Sequence, residues 1–166
     1  MGLATPASDW QVFGRVSVAA GAVISAGLYV WDFYSATAGI SARFGFNGVG
    51  LGAGGNLGSL GAPEDVGPLT VWSQIDCDKP FSVYDLNGAW GRITALGGAV
   101  GAGYSAIFIS AAPAFWSMKT FFHSQYVGGI SLLSVGGGGQ SLIGGWRFKG
   151  VSNNVPGPSS PETAVA

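Results

Sequence analysis

The sequence predicts a mainly β protein, an antiparallel glycine-rich sheet arranged as a sandwich or a small barrel. Charged residues make up only 9% of the chain and glycine accounts for 30 of 166 residues, which is not the composition of an ordinary globular protein. Each glycine inside a helix costs about 1 kcal/mol relative to alanine, so a segment such as "GFNGVGLGAGGNLGSLG" cannot be a stable helix in water. Stretches rich in Val, Ile, Tyr, Phe and Trp supply residues that favour strands.

The chain length and the positions of its polar, proline-rich segments indicate one domain over residues 1–150. A chain of 166 residues is long enough to bury a sizeable core. Prolines and acidic residues concentrate near 62–82, which we interpret as a polar, turn-rich bridge between two apolar regions. Residues 151–166 are rich in Pro, Ser and Asn without apolar periodicity, and this composition predicts a disordered tail.

The two apolar regions are similar to each other. The segment "GRVSVAAGAV" at 14–23 aligns without gaps with "GRITALGGAV" at 91–100, sharing the opening Gly-Arg pair and the closing Ala-Val pair. This likeness predicts two similar halves in which corresponding strands begin alike.

Two Asn-Gly pairs indicate local turns. Within residues 44–51 the large apolar residues stand at even positions before Asn47-Gly48 and at odd positions after it. This change of face predicts a hairpin turn or a bulge followed by a second short strand. Asn87-Gly88 predicts another turn, and Asp85 is placed to set it by hydrogen bonding to nearby backbone.

The uncharged segment "LGGAVGAGYSAIFISAA" at 96–112 fits two interpretations. Alternating large and small residues favour a strand, whereas a spacing of four places one large stripe beside one small groove on a helix. The second interpretation predicts glycine-zipper transmembrane helices in the second half, within the uncharged runs 93–118 and 120–146. Its membrane-packing candidates are Leu96, Val100, Tyr104 and Phe108 in the large stripe, and Gly97, Gly101 and Ser105 in the small groove.

No catalytic motif is present, so we predict a protein that is not an enzyme and that uses no cofactor. The carboxylate pairs lie in the polar bridge without a histidine beside them, and no glycine-rich stretch carries the lysine of a phosphate-binding loop. One cysteine and one histidine, far apart in sequence, predict no metal site. Cys77 lies between Asp76 and Asp78, whose charges should raise the pKa of its thiol.

Two charged or titratable residues stand out as candidates for a structural or functional role. Asp32 lies within "YVWDFY" and must be paired or exposed, with Arg15, Arg43, Arg92 and Arg147 as candidate partners. Of these we take an ion pair of Asp32 with Arg92 as the prediction. His123, the single histidine, is a candidate pH-sensitive or channel-lining residue.

Charge balance excludes nucleic acid as a partner, because seven basic and eight acidic residues nearly cancel. The apolar run after Arg15 lacks the flanks of a secretory signal, so we expect no cleaved signal peptide.

The zipper "GGAVGAGYS", the low charge and the apolar runs resemble the small glycine-zipper pore-forming effectors that bacteria export through type VI secretion. The resemblance covers residues 91–146. It implies secretion without a cleaved signal, insertion into the target cell's membrane, ion leakage and a cognate immunity protein.

The function we predict is therefore membrane action without catalysis, as a secreted pore-forming toxin that permeabilises a target membrane. The expected partners are a lipid bilayer, an immunity or chaperone protein, and further copies of the chain in a homo-oligomer. Two alternatives stay open. The first is a self-assembling β-structured structural or binding protein, and the second is a carrier of an apolar ligand.

Overall fold

The computed structural model describes residues 2–20, 24–53, 72–97, 105–127 and 138–156. The predicted fold class is confirmed, since the described residues form one antiparallel sheet that curls into a half-barrel. Its elements are β1 (Gln11–Ala20), β2 (Ile24–Ser35), β3 (Ile40–Ala53), β4 (Ser73–Gln74), α1 (Val83–Leu86), β5 (Trp90–Gly97), β6 (Ser105–Ala112), β7 (Phe122–Tyr126) and β8 (Gly138–Val151).

The strand order consists of two units with the same topology. The order is β4-β1-β2-β3-β8-β5-β6-β7, so that in each half the fourth strand pairs with the first. This is the spatial order of a Greek key, here repeated along one sheet. Strands β1 and β5 occupy equivalent positions and contain the repeated pairs Gly14-Arg15 and Gly91-Arg92. The similarity of the two sequence halves therefore has a counterpart in the topology.

In the described residues of the second half, which are strands, the helical interpretation is wrong. β5 and β6 form an antiparallel pair in which Gly97 lies opposite Ser105, so these two zipper candidates are cross-strand partners rather than neighbours on a helix face. No helix among the described residues is long and apolar enough to cross a membrane. The strand pairing satisfies the backbone of this glycine-rich segment without the conformational cost that glycine imposes on a helix.

A cluster of aromatic side chains fills one face of the sheet at the end where α1 lies, which we call the aromatic end. Phe33 of β2 packs edge-on against Phe44 of β3 and Trp146 of β8, with ring centroids 5.3 and 5.6 Å apart. Trp10 stacks on Phe81 at 5.2 Å and closes this core from the side. Such aromatic pairs add roughly 0.5–1.5 kcal/mol each beyond their buried area, so this end carries much of the stability.

The segment 72–82 ties the two edges of the half-barrel together. β4 pairs with β1, while the Ser73 hydroxyl donates to the carbonyl oxygen of Val127 just beyond β7 at 3.0 Å. Further along, the backbone N–H of Asp78 donates to the carbonyl oxygen of Phe121 at 2.8 Å. One segment thus contacts both edges of the sheet and holds its curvature at the aromatic end.

A row of glycines crosses the middle of the sheet. Gly144 of β8 lies opposite Gly48 of β3 on one side and opposite Gly91 of β5 on the other. A Cβ at Gly48 would lie 2.7 Å from the Phe46 ring, and one at Gly91 would overlap the indole of Trp146. The two aromatic rings therefore lie over backbone that has no side chains, which lets them pack flat against the sheet.

Three local expectations meet different outcomes. The Asn87-Gly88 turn is confirmed, with Gly88 at a φ of 87° that favours glycine. The predicted break at Asn47-Gly48 is wrong, because β3 continues through it and simple strand alternation explains the change of face. Asp85 does not set the turn. It accepts from the backbone N–H of Ser82 at 2.8 Å and completes a capping box at the start of α1.

The first residues of the predicted tail belong to the folded domain. β8 ends at Val151, and the backbone N–H of the buried Ser152 donates to the carbonyl oxygen of Ser41 at 2.8 Å. The side-chain amide of Asn154 donates to Asp32 at 2.9 Å. Residues 157–166 lie outside the described residues, as do residues 62–71 of the predicted polar bridge.

Candidate functional site

The sheet exposes apolar side chains on the face opposite the core, toward the end away from α1. We call this surface the apolar outer face, and it comprises Leu28, Val49, Leu51 and Ile143. Val49 is 65% exposed and Leu51 is 70% exposed, although both lie within a long central strand. Exposed apolar patches of this kind mark sites of interaction with a partner or a membrane.

Large apolar side chains change from the inner to the outer face between the two ends of β3, while the strand alternation itself stays regular. At the aromatic end, large rings such as Phe44 point into the core while the charged Arg43 points outward. At the other end of the same strand, Gly48 and Gly50 face the core side while Val49 points outward. Because side chains alternate with a period of two, the order of residues in β3 alone determines which face carries the large apolar side chains.

A groove of about 710 Å³ runs across the apolar outer face. Leu28, Val49 and Ile143 line it, and Gly145 leaves its floor without a side chain. Trp90 and Arg147 lie at its border toward β5 and the aromatic end. The groove is therefore mainly apolar, with Asn47 and the cation Arg147 as its polar lining residues.

A second depression, of about 380 Å³, lies beside the groove and shares Trp90 with it. We call it the Trp90 cleft. Trp90 and Phe115 form an aromatic wall with ring centroids 5.4 Å apart. Arg92, Ser110 and His123 supply polar groups on β5, β6 and β7, which brings one functional residue from each of three adjacent strands together.

The cations of the Trp90 cleft differ in their partners. Within the described part of the chain, the guanidinium of Arg92 makes no hydrogen bond and no ion pair. His123 Nδ1 lies 2.8 Å from Oδ1 of Asp78, and Oδ2 of the same carboxylate accepts from the hydroxyl of Thr120. The hydrogen bond to Asp78 raises the pKa of His123, and the same bond with that of Thr120 lowers the pKa of Asp78. The pH-sensitive role predicted for His123 stays a prediction.

The imidazole of His123 is expected to titrate above its ordinary pKa of 6.5, and Asp78→Asn is expected to return it toward that value. The raised pKa means that the pair stabilises the fold below pH 6.5 and loses this contribution as the pH rises through the folded pKa of His123. The lowered pKa of Asp78 sets the acid limit, with the contribution lost as the pH falls below 3.8. Proton NMR resolves the titration because the chain has a single histidine. Identical titration in the variant would contradict the pairing.

The predicted ion pair of Asp32 with Arg92 is wrong. Asp32 is fully buried and pairs with Arg15 Nε at 2.5 Å and Arg43 Nε at 2.8 Å. Burial by itself raises the pKa of Asp32, but the hydrogen bonds and charges of Arg43 and Arg15 outweigh it and hold the pKa below its usual value. Arg92 lies on β5, which β3 and β8 separate from β2, so Asp32 does not reach it.

Cys77 is half-buried, and its pKa is raised to about 11 by burial first and then by the charges of Asp78 and Asp76. The predicted direction is confirmed, and the thiol stays protonated at neutral pH and is a poor nucleophile. Among the described residues, no three His, Cys, Asp or Glu side chains lie close enough to hold a metal ion.

Four of the seven membrane-packing candidates lie among the described residues. Leu96 and Gly97 lie at the end of β5 and Ser105 at the start of β6, whereas Val100, Gly101 and Tyr104 lie outside the described residues. Phe108 is on β6 opposite Tyr126 of β7, with their rings 5.6 Å apart.

Sequence reasoning missed both the apolar outer face and the Trp90 cleft. For the apolar outer face, the available signal was the shift of apolar residues from even to odd positions at Asn47-Gly48. In a continuous strand, that shift places Val49 and Leu51 on the face opposite the core. For the cleft, the Trp-Gly-Arg order at 90–92 places two large side chains on one face of a strand. That signal does not reveal which residues of other strands join them.

The fold and its surfaces define a class: a glycine-rich half-barrel of two Greek-key units with an apolar outer face and a cationic cleft. Comparison with protein-family models, curated proteins and solved structures gives no match for this chain.

Proposed function

We propose that this protein acts on membranes without catalysis, by placing its apolar outer face against a lipid bilayer, and that it is a secreted pore-forming effector. The observation that carries the proposal is the exposure of Val49 and Leu51 in the middle of the sheet. Burying side chains of this size contributes up to about 1.5–3 kcal/mol each, so the two residues alone favour an apolar partner substantially.

The absence of charge around this face favours lipid as that partner. The stretches 24–31, 44–53 and 138–146 of the three central strands contain no charged residue. A bilayer accepts such strands because their backbone groups are already paired within the sheet, whereas each unpaired group would cost several kcal/mol. Trp90 at the border of the groove supplies an amphipathic ring of the type enriched at membrane interfaces.

Pore formation requires more than one copy of the chain. One molecule forms a half-barrel whose inner face is filled by packed side chains, so a water-filled passage needs further copies of the chain. This supports the homo-oligomer among the predicted partners. An immunity or chaperone protein would protect the producing cell by covering the apolar outer face before export.

Val49→Asp is expected to lower the rate of dye leakage from lipid vesicles at least about 10-fold. A charge on a lipid-facing strand costs on the order of 2 kcal/mol, and each 1.4 kcal/mol is a factor of ten. Val151→Asp is the matched control, because Val151 is 64% exposed against 65% for Val49 but lies at the opposite end of its strand pair. The control should leak as the wild type does.

Three results would overturn the proposal. One is wild-type protein that causes no leakage, and another is equal leakage from both valine variants and the wild type. The third is an ordered oligomer that forms without lipid and disappears in Val49→Asp, which would establish the self-assembling alternative. Analytical ultracentrifugation of the three proteins in lipid-free buffer measures this last outcome.

A further inference from the structure

We infer that the Trp90 cleft binds a phosphate group, with the guanidinium of Arg92 as its principal anchor. The inference rests on the proposed function only where the phosphate is that of a membrane lipid. The cleft adjoins the apolar outer face, and Trp90 and Ile143 line both the cleft and the groove.

The donors of the cleft stand in one row across three strands. Arg92 of β5 lies opposite Ser110 of β6, and His123 of β7 lines the same depression. The backbone N–H of Arg92 donates to the Ser110 hydroxyl oxygen at 3.1 Å, which leaves the hydroxyl hydrogen available. His123 uses Nδ1 toward Asp78, so its Nε2 is the ring nitrogen left for a ligand.

The charge of the cleft favours an anion. Arg92 and His123 line it, and Asp78 is the acid in contact with His123. Asp78 accepts from both His123 and Thr120, so its charge is already compensated by neighbouring donors. Of the two cleft residues, Arg92 is the cation whose side chain has no partner among the described residues.

The number and kind of donors favour phosphate. An arginine fork, an imidazole and a hydroxyl surround a small volume, and a phosphate offers enough acceptor oxygens to engage all of them. Arginine is well suited to this anion because its planar donors bind two oxygens at once. The wall formed by Trp90 and Phe115 leaves room for an apolar group attached to the phosphate.

Two sources present this chemistry, a lipid headgroup and a soluble phosphate ester. The probes are therefore phosphatidylcholine vesicles with and without phosphatidic acid, together with inorganic phosphate and glycerol 3-phosphate in solution. Binding is measured by vesicle cosedimentation and by isothermal calorimetry. The variant is Arg92→Gln, and the matched control is Arg147→Gln, which removes a cation from the groove rather than from the cleft.

We expect Arg92→Gln to weaken binding to phosphatidic acid vesicles about 10-fold and Arg147→Gln to bind as the wild type does. Weakened binding of the soluble phosphates in Arg92→Gln would also support the inference and would identify a soluble ester as the source. Equal binding by all three proteins to every probe would overturn it. So would equal losses in the two arginine variants, since nonspecific charge would then explain the binding.

Failure of the inference and failure of the proposed function give different results. If Val49→Asp reduces leakage but Arg92→Gln leaves phosphate binding unchanged, the cleft assignment alone is refuted. Phosphate binding that depends on Arg92 in a protein that never causes leakage refutes the membrane function alone.

Discussion

Gly144→Ala is expected to destabilise the protein by about 3 kcal/mol, at the upper end of the usual cost of overpacking. The added Cβ would overlap the carbonyl oxygen of Asn47 and would lie 2.5 Å from the Cα of Gly48. These are backbone atoms of the neighbouring strand and cannot rotate away as a side chain would. The strands β3 and β8 would have to separate at the centre of the sheet, where the two Greek-key units join. Chemical denaturation monitored by tryptophan fluorescence measures the loss.

Gly145→Ala provides the control from the adjacent position. A Cβ there would meet only the carbonyl oxygen of Ala89, at an ordinary 3.8 Å. Alanine in a strand is favoured over glycine by roughly 0.5–1 kcal/mol, so this variant should be as stable as the wild type or slightly more so. Equal destabilisation by both substitutions would show that the close approach of the β3 backbone to Gly144 is not the cause of the loss.

Asp32→Asn is expected to cost about 2–3 kcal/mol at neutral pH. The carboxylate is fully buried and accepts from Arg15, Arg43 and Asn154, so the amide leaves two guanidinium groups without their anion. Breaking a buried pair costs about 3–5 kcal/mol, and the partial exposure of both arginines to water reduces that figure. Asp76→Asn is the control, since that carboxylate is exposed.

The same variant predicts a change in acid sensitivity. Because the pKa of Asp32 lies below its ordinary value of 3.8, its contribution is present above pH 3.8 and is lost as the pH falls through the folded pKa. The difference in unfolding free energy between wild type and Asp32→Asn should therefore shrink as the pH falls below 3.8. A difference that stays constant down to acid pH would assign the loss to packing rather than to charge.

Several features of the fold could be predicted from local sequence. Glycine content excluded stable helices, and Gly88 fixed a turn because its positive φ suits glycine. The carboxylates around Cys77 fixed the direction of its pKa, and Asp32 required a partner because a lone charge among aromatic residues is costly. Each of these inferences depends on neighbours within a few residues.

The choice of partner for Asp32 and the composition of the Trp90 cleft could not be predicted in this way. Arg43 lies directly opposite Asp32 because β2 and β3 are sequential, whereas Arg92 is two strands farther away because β8 enters between β3 and β5. The cleft forms only because β5, β6 and β7 align Arg92, Ser110 and His123. No local pattern carries this register.

The sequence by itself therefore determined the β class, the Asn87-Gly88 turn and the need of Asp32 for a counter-charge. The tertiary structure decided which arginines meet Asp32, which face Val49 and Leu51 occupy, and which residues share the cleft. The physical reason is that backbone preference and side-chain alternation act over a few residues. Strand order and register instead depend on the packing of aromatic rings and glycines that are distant in sequence.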